Sequence, residues 1–206
     1  MKKYKLSYFD MNGGRAEPIR IAFHIGGIAF EDYRFAYSAF QEERLKTPLG
    51  QVPVLEIDGV QITQSTAILR YVGKLAGLYP TDEYQALICD EIISIAEDMT
   101  NKIVPTLFLT GEEQKAARIA LAETELPKFL KFLAAKLEQQ GGIWFADNRL
   151  TIAELRVFAL LNWLTNGTLD HMPKDVVAKN SPNLVELHNK LTNYPSIVSY
   201  YAKLSQ

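Results

Sequence analysis

The 206-residue sequence holds a single cysteine, Cys89, so no intramolecular disulfide can staple it and its stability must come from a packed core. Its neighbours, Leu87-Ile88-Cys89-Asp90, read as helix rather than as a redox motif, which makes the thiol buried and inert. Histidines number three, His24, His171 and His188, and none has acidic or cysteine partners at ligand spacing, so no metal is expected. Neither sign of charge dominates. Lys plus Arg total 22 against 24 Asp plus Glu, with no dense basic block, which argues against nucleic acid as a partner. No apolar run is long enough to span a bilayer, and Met1-Lys2-Lys3-Tyr4-Lys5-Leu6 leads directly into a strand-like alternation rather than a signal core. The expectation is a cytoplasmic protein without membrane attachment. Repeats, low-complexity tracts and a phosphate-binding glycine loop after a strand are also missing. Asn166-Gly167-Thr168 fits the glycosylation pattern but is read as a helix-end turn.

What is present falls into two parts with different grammar. Residues 4 to 9, 29 to 35, 53 to 57 and 60 to 63 are short and rich in β-branched or aromatic side chains, while 16 to 25 and 65 to 74 carry helical periodicity. Ile19, Ala22, Phe23 and Gly26 share one helix face, and Pro18 falls in the first turn, where its missing donor matters least. A helix between two strands implies a parallel pair, and Asp58-Gly59 signals an antiparallel hairpin. The order β-α-β-α-β-β-α on a small mixed sheet is a thioredoxin-like layout, placed at residues 1–79. After Leu78-Tyr79-Pro80-Thr81-Asp82 strand signals stop, and residues 84–206 read as an all-helical domain. Ile88, Ile92, Ile95, Met99 and Ile103 form one stripe; Leu126, Phe129, Leu130, Leu133 and Leu137 form another, ending at Gly141-Gly142. Thr151-Ile152-Ala153-Glu154 is a capping box, flanked by Leu150 and Leu155 as a hydrophobic staple. The helix it opens, through Val157, Phe158, Leu160, Leu161 and Trp163, is apolar nearly all round and should be the buried axis of its domain.

One stretch suggests chemistry. In Leu49-Gly50-Gln51-Val52-Pro53-Val54-Leu55 the proline cannot donate to a sheet, so it should start its strand or sit where the ladder is broken, leaving backbone groups of Val52 free for a ligand; a cis Val52-Pro53 bond would aim them at it. Beyond the hairpin, Ser65 in Gln64-Ser65-Thr66-Ala67-Ile68 is a helix N-cap candidate beside unpaired amides that favour a carboxylate. A small peptide-like anion fits both features.

Tyr4-Lys5-Leu6-Ser7-Tyr8-Phe9, Arg15-Ala16-Glu17, Gly50-Gln51-Val52-Pro53, Leu55-Glu56-Ile57-Asp58-Gly59 and Gln64-Ser65-x-Ala67-Ile68-x-Arg70-Tyr71 closely resemble the cytosolic glutathione transferases, particularly their sigma class. The resemblance covers the whole chain, including the capping box. It implies an enzyme that uses glutathione as co-substrate and needs no metal. Tyr8 would direct its hydroxyl at the glutathione sulfur, with Arg15 assisting. Gln64 and Ser65 would hold the γ-glutamyl carboxylate, and Val52, before Pro53, would pair through its backbone with the cysteinyl unit like an added strand. Asp98 matches an acidic residue that reaches across a two-fold interface to the glutamyl amine, which requires a homodimer.

Departures from the family pattern cluster at the glycine end of glutathione. Phe40 replaces the usual tryptophan and Gln51 stands where some members have lysine, leaving Arg44 as the cation in reach. Weaker capture of the glycyl carboxylate is expected. The Asn12-Gly13-Gly14 loop is one residue longer than in some relatives, which leaves Arg15 less firmly matched than Tyr8. By matched position, Phe9, Met11, Asn12, Thr100, Val104, Pro105 and Leu204 line the electrophile pocket. Pro105 replaces a tryptophan typical of the vertebrate prostaglandin D synthase members. The resemblance leaves three activities open: conjugation of glutathione to small hydrophobic electrophiles, a glutathione-dependent isomerase or peroxidase on the same site, and a noncatalytic, crystallin-like role.

Overall fold

The computed structural model describes residues 2–204. The four-strand sheet runs in the order β2-β1-β3-β4, with β1 at Tyr4–Phe9, β2 at Glu31–Phe35, β3 at Val54–Ile57 and β4 at Val60–Ile62. β1 and β2 are parallel, with Tyr8 opposite Arg34; β1 and β3 are antiparallel, with Leu6 opposite Leu55. Asp58 (φ 49°) and Gly59 (φ 87°) both take positive φ, as a two-residue turn matching strand twist requires. β2 starts two residues later than its apolar pattern suggests. Ile28 N–H turns back to the Phe23 carbonyl, and Phe30 stacks on Phe23 at 4.4 Å instead of joining the ladder.

Helix α1 (Glu17–Ile25) connects β1 to β2, with Pro18 in its first turn and residues 17 to 23 buried. The short α2 (Phe40–Glu43) lies between β2 and β3, and α3 (Ser65–Leu75) follows the hairpin. Seven helices complete the described chain: α4 (Glu83–Ile103), α5 (Gly111–Thr124), α6 (Leu126–Gln139), α7 (Ile152–Thr165), α8 (Val176–Asn180), α9 (Pro182–Thr192) and α10 (Pro195–Leu204). The expected stripes face inward: Ile88, Ile92, Met99 and Ile103 on α4 and Leu126, Leu130, Leu133 and Leu137 on α6 are buried, while Ile95 and Phe129 sit at the stripe edges. Gly141 and Gly142 return their N–H groups to Glu138 and Leu137 carbonyls and stop α6.

α7 is the axis of the helical part, buried along most of its length. At its start the Thr151 hydroxyl accepts from Ala153 N–H (3.2 Å), and the Glu154 carboxylate accepts from the Thr151 N–H (2.7 Å) and hydroxyl (2.6 Å) and from Phe145 N–H (2.6 Å). The same turn joins the two parts of the molecule. Ile152 N–H donates to the Leu78 carbonyl at 2.9 Å, and a side chain on Gly73 of α3 would meet Ile152 Cγ2 at 2.5 Å, so glycine there permits the approach. Cys89 is buried against this turn, its Sγ 3.8 Å from Thr151 Oγ1, and burial pushes the thiol up to about 12. Asn166-Gly167-Thr168 closes α7 as a turn, with Thr168 N–H donating to Asn166 Oδ1.

Candidate active site

Alternation along β1 turns Tyr8, with Leu6, toward the helix-packed face, where the residue is 6% exposed. Its oxygen accepts a hydrogen bond from the Arg15 backbone N–H at 3.3 Å. Among the described residues no acceptor takes its own proton. The Asn12-Gly13-Gly14 loop makes this placement possible: Gly14 has φ +66°, and a Cβ there would lie 2.6 Å from the Tyr8 hydroxyl oxygen. Burial pushes the phenol above its ordinary range, against the pull of the Arg15 N–H and the charges of Arg15, Arg20 and Arg156. Tyr8 therefore keeps its proton at neutral pH, and a neutral phenol with an uncommitted proton is a hydrogen-bond donor for an anion.

The loop is fixed from below by Arg20, fully buried on α1, which donates to the Met11 carbonyl (2.8 Å) and to Asp32 Oδ1 (2.9 Å). Arg15 does not bring its guanidinium to the Tyr8 hydroxyl. Its backbone N–H makes that contact; its Nε donates to Glu97 Oε1 at 2.7 Å and its Nη2 to Asn101 Oδ1 at 2.8 Å, both on α4. Gly14, Arg20, Glu97 and Arg156 were not singled out from the sequence. A paired glycine before Arg15 and arginines embedded in the apolar runs of α1 and α7 were the available signals.

Val52 precedes a cis bond to Pro53, and among the described residues its backbone groups have no backbone partner. Pro53 lies just ahead of β3, which starts one residue later than the stretch read at 53 to 57. Ser65 is not the N-cap. That position belongs to Gln64, held at φ 72°, and Ser65 is the first helical residue of α3. Among the described residues no side chain caps α3, which leaves its first amides uncapped near the Ser65 hydroxyl. A non-glycine residue at positive φ costs about 1–3 kcal/mol and is a common mark of a ligand clamp.

Around Phe40 the aromatic residues form a cluster: Phe9 lies 5.1 Å from Phe40, 5.4 Å from Phe35 and 5.2 Å from Tyr37, ring centre to ring centre. Arg44 sits 5.7 Å over the Phe40 ring and beside Gly50, without an ion-pair partner among the described residues; Gln51 is exposed. Met11, Asn12 and Leu204 come together with Asp10 and Arg34 around a cleft of about 420 Å³. Phe9, Thr100, Val104 and Pro105 do not line it. Phe9 is committed to the aromatic cluster. Thr100 is a correction to the pocket expected from matched positions: it is 4% exposed, and its hydroxyl donates to the Ala96 carbonyl and accepts from Arg156 Nη2 at 2.5 Å. Val104 and Pro105 begin a tight turn after α4, where Pro105 is exposed. Asp98 is exposed on α4.

A thioredoxin-like domain with a buried phenol at the end of its first strand, completed by an all-helical domain, defines a two-domain class of protein. Residues 4–74 match the model of the glutathione S-transferase N-terminal domain, and residues 97–204 that of the C-terminal domain. Glutathione S-transferase 3 of Caenorhabditis elegans is 31% identical over 208 residues, spanning 98% of this chain and 97% of its own. Among solved structures, prostaglandin synthase D of Nilaparvata lugens superposes with a TM-score of 0.86 at 31% identity over 98% of each chain. The sigma class enzyme of Fasciola hepatica gives 0.85 at 27% identity, over 98% of this chain and 96% of that one. The chain belongs to the glutathione S-transferase family.

Proposed function

We propose that this protein binds glutathione in the groove between Val52, Gln64 and Tyr8, holds it as the thiolate, and conjugates it to small hydrophobic electrophiles. The observation that carries the reading is the buried Tyr8 hydroxyl, whose oxygen is held by Arg15 N–H while its proton has no acceptor among the described residues. The thiolate is the attacking species, and a thiol with pKa about 8.5 is only a few per cent ionised at neutral pH. Depressing it by about two units takes roughly 2.7 kcal/mol of preference for the anion. One hydrogen bond to a charged group supplies about 1.5–3 kcal/mol, so Tyr8 accounts for most of the effect. Ionisation and proximity to the electrophile then give the rate.

The γ-glutamyl carboxylate takes the open amides of α3, the Ser65 hydroxyl and Gln64, and the cysteinyl unit pairs with the free Val52 backbone. Arg44, set over the Phe40 ring and near the exposed Gln51, receives the glycyl carboxylate only weakly. Residues 1–79 thus hold glutathione, and residues 84–206 supply one wall of the electrophile pocket through Leu204, opposite Met11 and Asn12. Asp98 serves the partner's site in a cytoplasmic sigma-class homodimer working in detoxification. Among the described residues no helix is long and apolar enough to cross a membrane.

The likeness to a prostaglandin synthase favours, as a second reading, isomerase or peroxidase use of the same thiolate. A panel of aryl halides, enals, hydroperoxides and endoperoxides, assayed with glutathione, separates the two. Conjugation of aryl halides and enals supports the first reading, and turnover of endoperoxides or hydroperoxides alone replaces it with the second. Binding of glutathione without turnover of any of them leaves only a noncatalytic role.

A further inference from the structure

Arg156 interrupts an apolar run, Leu155-Arg156-Val157-Phe158, and is 4% exposed. Burying a guanidinium costs several kcal/mol unless it is paired and hydrogen-bonded, so its partners indicate why it is there. Its Nη2 donates to the Ala96 carbonyl (3.1 Å), Glu97 Oε2 (3.0 Å) and Thr100 Oγ1 (2.5 Å), all on α4. Its Nε has no partner among the described residues. The other oxygen of Glu97 accepts from Arg15 Nε at 2.7 Å, and the Arg15 N–H holds the Tyr8 hydroxyl at 3.3 Å. An unbroken chain of contacts thus runs from α7 through α4 and the β1–α1 loop to the phenol. The charged and titratable groups facing Arg156 are Glu97 from α4 and Arg15 and Tyr8 from the first domain.

Charge balance is the consequence. Arg15 paired with Glu97 alone is electrically neutral and would do little for an anion at Tyr8. With Arg156 on the second carboxylate oxygen, two positive charges face one negative and one positive charge remains. We propose that Arg156 is a positioning residue for the sulfur anion: by occupying Glu97 it leaves uncancelled the charge of Arg15, the residue whose N–H holds the Tyr8 hydroxyl. This rests on the glutathione-thiolate reading above and deepens it.

The test is titration of the glutathione thiol on the protein by its thiolate absorbance, in a set of variants chosen by charge. Arg156→Met makes the array neutral, and the bound thiol should rise by about one unit, the scale of one nearby charge. At a pH below the new value kcat should fall up to about tenfold, while KM for glutathione changes less. Arg156→Lys keeps the charge and should stay close to wild type. Glu97→Gln adds a net positive charge and should lower the thiol below wild type, with the amide oxygen still able to hold Arg15. Glu97→Gln combined with Arg156→Met restores one net positive charge and should return the thiol toward wild type. A role confined to packing α4 on α7 predicts no such return.

An unmoved thiol in Arg156→Met, or a double variant no nearer wild type than Arg156→Met alone, overturns the inference and leaves Tyr8 chemistry standing. Should Arg156→Met fail to fold, Glu97→Gln decides: a thiol at or above the wild-type value overturns the inference. A wild-type protein whose bound thiol is not depressed overturns the thiolate reading and this inference together.

Discussion

Gly14→Ala is the smallest change that tests how the loop serves the site. The added Cβ would lie 2.6 Å from the Tyr8 hydroxyl oxygen and 3.1 Å from its Cε1, whereas ordinary contact begins at 3.4 Å. The phenol or the loop must therefore yield by roughly 0.8 Å, the difference between those two separations, and a misplacement near 1 Å can cost about 100-fold in rate. Backbone strain adds to this, because alanine at φ +66° costs about 1 kcal/mol relative to glycine. Gly77→Ala separates the two effects: Gly77 has φ +68° and nothing within 4 Å of its would-be Cβ. Both variants should lose about 1 kcal/mol of stability by urea denaturation. Only Gly14→Ala should lower kcat/KM for conjugation, by about 10- to 100-fold, and raise the bound thiol pKa. Equal kcat/KM values for the two variants would refute the claim that Gly14 keeps room for the Tyr8 hydroxyl.

Three further outcomes follow from particular contacts. Thr151→Ala removes the hydroxyl that accepts from Ala153 N–H and donates to Glu154; it should cost about 1–2 kcal/mol, read as a lowered urea midpoint with an unchanged m-value. His188 stacks on Phe158 at 5.4 Å and meets Asn162 Oδ1 at 2.6 Å, and burial lowers its pKa from 6.5, so the fold prefers the neutral ring. Below about pH 6.5 the unfolded chain binds the extra proton; stability should fall as pH drops through that value, and His188→Gln should show a shallower loss. Parallel pH slopes in the two proteins would exclude His188 as the source. At the glycine end, a glutathione analogue lacking the glycyl carboxylate should bind nearly as well as glutathione, since Phe40 offers no indole donor and Gln51 no charge; a large affinity loss would instead make Arg44 a strong anchor.

Much of the fold was legible because its signals are local. Asp58-Gly59 specifies its turn through the φ values only such residues adopt readily, Thr151 and Glu154 cap α7 within one turn, and the stripes on α4 and α6 record which faces are buried. The parallel β1–β2 pair followed from the helix between them. The site was less legible where it depends on contacts between distant segments. Thr100 was placed in the pocket by position, but Arg156, 56 residues further on, takes its hydroxyl into the interior. The strained backbone of Gln64 displaced the cap from Ser65, and no residue pattern announces a glutamine at positive φ. Arg15 meets Tyr8 through its backbone N–H while Glu97 on α4 holds its guanidinium, and no local pattern announces either contact. Glycine beside glycine hinted at an unusual turn, while the reason for Gly14 became clear only with the phenol against it.

The proposed function rests on Tyr8 donating its proton, which has no acceptor among the described residues, to the glutathione sulfur and so holding it as an anion. Titration of bound glutathione by thiolate absorbance, in wild type and Tyr8→Phe, tests this most directly. A thiol about two units below the free value of about 8.5 in wild type, returning most of the way in Tyr8→Phe, is the predicted result. An equal depression in both proteins would contradict it and move thiolate stabilisation to other groups.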